Sequence, residues 1–295
     1  MPLEELAAQG KLVTPVHVLR DFGFEHVHIS DVPADELALR ALQQLLSEHV
    51  IDPESIDALL FAGAIPQSHR VATGGRLQDF SYPVARLQYE CGLTNATTMA
   101  IAQTGCTGLM AAIDVAAAHL LTNPPAQRAI CVSADVLPAD APREIIVNVI
   151  SDGACAVLVE RGARRNRILG TRRVGKGYYW DATERTNEII AAYFPTARNI
   201  IRDLLASLTL TPAEIALVIP HNVSRRSWNI LLPLIGLAPH QLFADNIGRK
   251  GHVIAADNYI NLKDAADAGR IRDGDRLLLF NFGFGAAWAA TLLEA

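Results

Sequence analysis

The chain has 295 residues, half of them apolar, which is enough to bury a large core. Charged residues are 19% of the total and the formal net charge is −5, which argues against a basic nucleic-acid-binding surface. No apolar run reaches the roughly 20 residues that cross a bilayer, and the polar, acidic start lacks the form of a secretory signal. We therefore expect a cytoplasmic protein with no nucleic acid or membrane as partner.

Taken in chain order, the pattern predicts helices that alternate with short apolar strands. Residues 35–50 keep leucines at near-helical spacing, and residues 56–64 form a nearly all-apolar run typical of a strand buried on both faces. The predicted elements that follow are helices at 82–91 and 109–121 and strands at 98–103, 128–135 and 152–160. This alternation predicts an α/β layered fold.

The second half of the chain repeats this order. A helix at 196–208, a proline turn and an apolar strand at 216–220 echo residues 35–64. Residues 276–280 echo the strand at 128–133, and the glycine-rich stretch 283–293 echoes the one at 152–160. We predict two similar halves, residues 1–160 and 161–295, although two ordinary α/β segments can also look alike by chance.

Three of the four cysteines have a structural explanation. Cys131 and Cys155 lie in apolar runs that read as strands, and Cys91 lies at a predicted helix end. The spacing of the cysteines and histidines does not resemble a zinc site, so we expect free thiols and no metal.

Cys106 stands in a different pattern, Gln103-Thr-Gly-Cys-Thr-Gly108, between a predicted strand and a predicted helix. Glycines on both sides allow a tight turn and the close approach of a substrate. The positive end of a helix dipole favours a thiolate at this position, and the Cys106 N–H is a candidate oxyanion donor. A packed, inert cysteine remains the alternative.

Two histidines and an aspartate follow in the second half. His221 stands at the end of an apolar strand, where α/β folds place their ligands, and is a candidate base. His252 and Asp257 are five residues apart around a turn into a helix, and the carboxylate could orient an imidazole. A surface loop histidine and a helix-capping aspartate are the alternatives.

Gly283 lies in the glycine-rich segment Phe282-Gly-Phe-Gly285 near the end of the chain. Glycines within a strand indicate close approach of a backbone or ligand, so the Gly283 N–H is a candidate second oxyanion donor. Tight packing between the two halves is the alternative.

Together these motifs resemble the ketosynthase III branch of the thiolase superfamily. The cysteine turn around Cys106, the segment Ser151-Asp-Gly153, the Pro220-His-Asn222 motif and Gly283 stand in the family's order. The resemblance implies a thiolase-like fold, with two βαβαβ-type halves in an α-β-α-β-α arrangement, and a homodimer. It also implies acyl-CoA or acyl carrier protein as substrate and no tightly bound cofactor.

Two departures from the family pattern matter. Where the family's fatty-acid ketosynthases have an asparagine after the glycine, this chain has His252, followed by Asp257. The segment is similar to a Cys-His-Asp subset of acyltransferases, so we expect acyl transfer through Cys106 to a hydroxyl, amine or carrier, in secondary metabolism. Residues 1–34 also lack the family's opening strand, so we expect a missing first strand or a misplaced start.

In the mechanism that this resemblance implies, His221 is oriented by Asp257 and acts as the base, while His252 assists. Arg225, Arg226, Arg249 and Lys250 form a candidate patch for an acidic carrier protein, with ordinary solvated charge as the alternative. The loop 67–82 is a candidate substrate contact on its length alone. A carbon–carbon bond-forming ketosynthase and a non-catalytic acyl-binding subunit are the competing functions.

Overall fold

The computed structural model describes residues 1–65, 82–146 and 148–295. The α-helices are α1 Leu3–Ala8, α2 Val16–Asp21, α3 Ala34–Glu48, α4 Pro83–Glu90, α5 Gly108–Thr122, α6 Thr186–Ser207, α7 Arg225–Leu234, α8 Asp245–Lys250 and α9 Asp257–Asp267. The strands are β1 Ala58–Ala62, β2 Thr97–Ile101, β3 Arg128–Asp135, β4 Glu144–Ile145, β5 Asn148–Val149, β6 Gly153–Glu160, β7 Arg167–Gly175, β8 Leu217–Ile219, β9 Arg276–Gly283 and β10 Ala287–Glu294.

Eight of these strands form two four-stranded sheets of related topology, and β4 pairs with β5 separately. The first has the order β2-β1-β3-β6 and the second the order β7-β10-β9-β8. In the first sheet β1 runs parallel to β3, and β3 runs antiparallel to β6. In the second sheet β8 runs parallel to β9, and β9 runs antiparallel to β10. The three strands predicted to correspond between the halves therefore occupy corresponding places in their sheets.

Three apolar clusters place the sheets between helical layers. Residues of α5 and α9 share one cluster with inward-facing residues of both sheets. Helices α3 and α4 cover the outer face of the first sheet, and α6 and α7 cover the outer face of the second. The arrangement is α-β-α-β-α, and the predicted fold class is confirmed.

Together with the 3-10 turn before it, α5 forms an 18-residue segment, Gly105–Thr122, that is long and apolar enough to cross a membrane, as the core helix of a globular protein also can be. It packs instead between the two sheets, because its apolar residues are nearly all around the helix and both neighbouring layers are apolar.

The first 27 residues pack with the second half of the chain. Leu3, Leu6, Leu19, Phe24 and Val27 are fully buried in the cluster that α6 and α7 form with the second sheet. By packing, this segment belongs with the C-terminal sheet, although the predicted boundary at residue 160 assigns it to the first half. The boundary itself stays a prediction.

Some elements differ from the sequence prediction. Helix α6 begins at Thr186, ten residues before the predicted start, and carries Pro195 within it. Proline has no N–H for the preceding turn, so the sequence favours a helix that starts after it. The glycine-rich segment predicted as a strand over 283–293 starts with a turn, and β10 begins only at Ala287. Strand β7 is largely exposed and rich in arginine, so apolar patterning did not reveal it.

Candidate active site

Cys106 lies in a single 3-10 turn, Gly105–Thr107, that leads directly into α5. The turn touches the segment after β9. A Cβ on Gly105, which has φ +52°, would lie 2.7 Å from the Phe284 carbonyl oxygen, and a Cβ on Gly283 would lie 2.8 Å from the Cys106 nitrogen. Glycine is therefore required at both positions, and the first half meets the second here with backbone against backbone.

The ring of His252 faces the thiol. His252 Nε2 lies 3.3 Å from Cys106 Sγ, and its side chain is nearly inaccessible to solvent. Its backbone is held by the end of β5 and the residues after it: the His252 N–H donates to the Val149 carbonyl at 2.9 Å, and the Ser151 N–H donates to the His252 carbonyl at 2.9 Å. Gly251 precedes it with φ +66°, and a Cβ there would lie 3.0 Å from the Val149 oxygen.

Asp257 orients His252. Its Oδ2 lies 2.5 Å from His252 Nδ1 and accepts from the Asn222 N–H at 2.5 Å. Its Oδ1 accepts from the Val253 N–H at 2.6 Å, and the residue is 0% exposed. A carboxylate that accepts a hydrogen bond from Nδ1 fixes the ring tautomer in which Nδ1 carries the proton. Nε2 is then free to take a proton from the thiol.

The expected pairing of Asp257 with His221 is not the one that the structure has. His221 Nε2 lies 2.9 Å from the Tyr193 hydroxyl, and its Nδ1 has no hydrogen-bond partner among the described residues. The two imidazole rings are still neighbours, with centroids 6.2 Å apart. The pairing follows from the chain order. The turn after His252 leads directly into α9, whose first residue is Asp257, so Asp257 lies beside His252.

The two histidines have opposite electrostatic surroundings. Burial opposes the charged form of His252, but the Asp257 carboxylate and the Cys106 thiolate outweigh this effect, so the pKa of His252 lies well above its ordinary value. Burial lowers the pKa of His221 well below its ordinary value, and the neighbouring charge on His252 lowers it further. A proton in the pair therefore resides on His252.

Buried asparagines hold the loops of the site in register, and the sequence analysis missed their role. The Asn222 Nδ2 donates to the Gly251 carbonyl at 2.8 Å, and its Oδ1 accepts from Asn261 Nδ2 at 2.7 Å. Asn258 Nδ2 donates to the carbonyls of Ile219 at 2.8 Å and Phe280 at 3.0 Å. The available signal was the repeat of asparagine on one face of α9, at positions 258 and 261.

A cavity of about 550 Å³ opens onto Cys106 and His252. Its wall is mostly apolar and includes Ile145, Ile150, Ile189, Phe194, Ile254 and Phe284. Among the described residues, the polar side chains on this wall, besides Cys106 and His252, are Asn148, Tyr193 and Ser227. Such a wall suits a hydrocarbon chain next to the Cys106 thiol.

The remaining candidates lie outside this arrangement. Cys131 is buried, and burial raises the pKa of its thiol, as for a structural cysteine. Arg225 and Arg226 begin α7 and are exposed, whereas Lys250 forms an ion pair with Asp264 at 2.5 Å. In the described parts of the chain, no cluster of three or more His, Cys, Asp or Glu side chains could hold a metal ion. Of the predicted loop 67–82, all but Tyr82 lies outside the described residues.

Two related sheets around two central helices, with a cysteine at the start of one of these helices, define a thiolase-like fold. Residues 102–177 match the family model described as 3-oxoacyl-[acyl-carrier-protein (ACP)] synthase III, and residues 205–295 match the model of its C-terminal part. The chain belongs to this family, the ketosynthase III family of condensing enzymes, and the resemblance inferred from the motifs is confirmed.

Curated relatives and solved structures agree with this assignment. A relative from Aquifex aeolicus (strain VF5), named beta-ketoacyl-[acyl-carrier-protein] synthase III, is 26% identical over 88% of this chain and 83% of its own length. A solved 3-oxoacyl-[acyl-carrier-protein] synthase III from Aquifex aeolicus VF5 superposes with a TM-score of 0.79 at 24% identity, covering 92% of this chain and 88% of that one. The solved structure of ChlB3, named as an acyltransferase, has a TM-score of 0.87 at 21% identity, covering 100% and 93%. At these identities the two structural likenesses concern the fold.

Proposed function

We propose that the chain is an acyltransferase that carries an acyl group on Cys106 and passes it to a hydroxyl, an amine or a carrier thiol. The observation that carries this proposal is the line of contacts from Cys106 Sγ to His252 Nε2 and from His252 Nδ1 to Asp257. This is the arrangement of an activated nucleophile, its base and the group that orients the base.

In the first half-reaction the thiol proton passes to His252, and the Cys106 thiolate attacks the carbonyl carbon of an acyl thioester. The tetrahedral oxyanion is held by the N–H groups of Cys106 and Gly283, whose backbones touch in the structure. When the intermediate collapses, the donor thiolate leaves and takes the proton back from His252. The products are an acyl-Cys106 thioester and a free thiol.

In the second half-reaction the acceptor binds beside His252. Neutral His252 takes the acceptor's proton, and the acceptor oxygen, nitrogen or sulfur attacks the acyl-Cys106 carbonyl. The C–S bond then breaks, and Cys106 recovers its proton from His252. Asp257 supports both steps because it stabilises the positive charge that forms on the ring. His221 takes no part in these steps, so the proposal makes His252 the base where the sequence analysis expected His221.

The likeness to the family also supports a synthase that forms a carbon–carbon bond, and the nearness of the His221 and His252 rings favours this second candidate. The amide that the family's fatty-acid ketosynthases have at position 252 is absent here. The carboxylate-bound imidazole in its place favours a base for an acceptor over a neutral donor for an enolate.

Substrates and assembly follow the same likeness. We expect acyl-CoA or acyl carrier protein as the donor, and Arg225, Arg226 and Arg249, all exposed, are the candidate contacts for an acidic carrier. A homodimer is expected too. Among the described strands, β2 forms an edge of the first sheet, and its outer backbone groups are available for pairing with a second copy.

The test is a screen of acyl-CoA and acyl-carrier donors, read by intact-mass spectrometry on the wild type and on Cys106→Ala. A mass increase equal to one acyl group in the wild type alone supports the proposal. Addition of candidate acceptors should then discharge the adduct. Release of CO2 and a β-keto product from a malonyl donor would show the synthase instead. A folded wild type that takes up no acyl group from any donor would show the non-catalytic subunit.

A further inference from the structure

Tyr193 lies on the wall of the catalytic cavity, one residue before Phe194 on α6. Its ring meets Phe194 edge-on at 5.0 Å and Phe282 at 5.4 Å between centroids. Phe282 directly precedes Gly283, whose backbone touches Cys106. The tyrosine is therefore part of the wall close to the reactive thiol, and no step of the mechanism above uses it.

The hydroxyl of Tyr193 has one hydrogen-bond partner among the described residues, His221 Nε2 at 2.9 Å. His221 is 0% exposed and is packed by Trp228 and Phe280, with ring centroids 5.9 Å and 5.5 Å away. His252 contacts it from the other side at 6.2 Å. Since His252 carries the proton of the pair, His221 is a neutral ring with one N–H and one lone pair.

The position of that single N–H decides what the tyrosine can do. With the proton on Nδ1, an N–H would be buried with no acceptor among the described residues. With the proton on Nε2, it is donated to the Tyr193 oxygen; a lone pair is left unpaired at Nδ1, and the unpartnered hydrogen is then that of the Tyr193 hydroxyl, on a residue that lines the cavity. A molecule in the cavity can accept from this hydroxyl, whereas nothing can reach an N–H sealed at Nδ1, so the second tautomer is favoured.

In that tautomer the tyrosine oxygen accepts from His221, and its own O–H needs an acceptor elsewhere. The described protein groups provide none, and the contact of this hydroxyl with His221 is only part-buried. Because Tyr193 lines the cavity, a molecule inside the cavity can accept this hydrogen bond, and a bound substrate is such a molecule. Its neighbours Ile189, Ile190 and Phe194 on the same wall are apolar, as a surface for the acyl group requires.

We infer that Tyr193 donates a hydrogen bond to an oxygen on the acyl group, so that the site selects hydroxyacyl or ketoacyl thioesters over plain alkanoyl thioesters. His221 is a positioning residue that holds the tyrosine hydroxyl in this direction. The inference rests on the proposed acyl transfer, and it names the substrate class of that same site.

The test compares hexanoyl-CoA with 2-hydroxyhexanoyl-, 3-hydroxyhexanoyl- and 3-oxohexanoyl-CoA. The wild type should acylate Cys106 at least about 10-fold faster with one oxygenated donor than with hexanoyl-CoA, because an unpaired buried donor penalises the analogue that lacks the oxygen. Tyr193→Phe should lose this preference, so that its rate with the oxygenated donor becomes about equal to its own rate with hexanoyl-CoA. Tyr179→Phe is the matched control: it removes a partly buried hydroxyl that does not line the cavity, and it should keep the preference.

Binding separates this inference from the proposed function. The same CoA thioesters are titrated into Cys106→Ala with and without Tyr193→Phe, where no acyl transfer occurs. The oxygenated ligand should bind at least about 10-fold more tightly only when Tyr193 is present. Equal affinities for all four ligands, or a preference that survives Tyr193→Phe, would overturn the inference even if Cys106 is acylated normally.

The tautomer has its own readout. A ¹⁵N spectrum of histidine-labelled protein should show His221 neutral, with its proton on Nε2, and Tyr193→Phe should shift that nitrogen. A proton on Nδ1 would overturn the positioning role of His221, since the tyrosine would then donate to the ring instead of to the substrate.

Discussion

Replacing Asp257 by asparagine tests the contact that the proposed mechanism depends on most. The carboxylate accepts three hydrogen bonds, from His252 Nδ1, Asn222 N and Val253 N, at 2.5, 2.5 and 2.6 Å. An asparagine has one acceptor oxygen, so its NH2 group must face at least one of these N–H groups. The substitution therefore removes a buried negative charge and leaves hydrogen bonds unmade, with almost no change in shape.

The size of the effect follows from these contacts. A hydrogen bond to a charged group contributes about 1.5–3 kcal/mol, which corresponds to a loss of about 10- to 150-fold in the acylation rate. If the amide NH2 turns toward His252, the ring takes the opposite tautomer, and Nε2 presents a proton to the thiol instead of accepting one. The loss would then approach about 10⁴-fold, as in other triads with this change. The pKa of His252 should also fall, because the Asp257 charge helps to raise it.

The assay is rapid-quench mass spectrometry of Cys106 acylation, as a function of pH, on the wild type and on Asp257→Asn. Asp267→Asn is the matched control, since Asp267 lies on the same helix but is exposed and pairs only with Lys263 in the described structure. Circular dichroism shows whether each variant is folded. If folded Asp257→Asn acylates within about 3-fold of the wild type, Asp257 does not orient the base, and the triad assignment is wrong.

Three further substitutions test the structure around the site. Gly251→Ala should lower the acylation rate and the free energy of unfolding, because Gly251 has φ +66° and a Cβ there would lie 3.0 Å from the backbone that holds His252. Burial raises the pKa of Asp135 to about 6, so the folded protein favours the protonated carboxyl. The free energy of unfolding that this preference adds is fully present below about pH 4, and it is lost as the pH rises through about 6. Asp135→Asn should remove that fall, of up to about 3 kcal/mol, in denaturant titrations at several pH values. Arg143→Met should destabilise the protein by about 3–5 kcal/mol in the same titrations, because it leaves Asp152 buried without its ion-pair partner.

The controls for these variants come from the chain itself. Gly269 also has φ +66°, but a Cβ added there would meet nothing within 4 Å, so Gly269→Ala should cost only the backbone strain, about 1–2 kcal/mol. Equal effects of the two glycine substitutions would contradict the crowding at Gly251. Asp135 accepts both of its backbone hydrogen bonds on Oδ1, which asparagine can also do. A pH profile that survives Asp135→Asn would therefore assign the titration to another group.

Much of the fold was predictable because its strands are short, apolar and bounded by turns. The strands at 128–135 and 276–280 are buried on both faces, and apolar runs of this length indicate such strands directly. The cysteine turn was predictable as well, because glycines on both sides of Cys106 mark a tight strand-to-helix connection. Residues 1–34 carry no such signal, and their two short helices depend on packing against the second sheet.

The choice of base was not predictable from spacing. His221 follows β8 and His252 follows α8, and both lie within reach of the site, so either could have paired with Asp257. The choice is made in three dimensions: Asp257 accepts from His252 Nδ1, while Tyr193 covers His221. The sequence pattern did not indicate that Tyr193 belongs to the site. It stands among apolar residues two positions before Pro195, where the pattern did not predict a helix. The catalytic roles of these residues stay predictions.

Because the backbones of Gly105 and Gly283 are in contact, the rate of the proposed acyl transfer depends on how the two halves are aligned. The Cys106 thiol and the candidate oxyanion donor Gly283 come from different halves of the chain, and the backbones of their segments are in close contact there. A slip of about 1 Å between the halves would leave every strand and helix intact and yet cost about 100-fold in rate. Gentle heating or mild denaturant should therefore abolish acyl transfer before the helix content falls. A ligand that contacts both halves should restore the activity without raising the helix content.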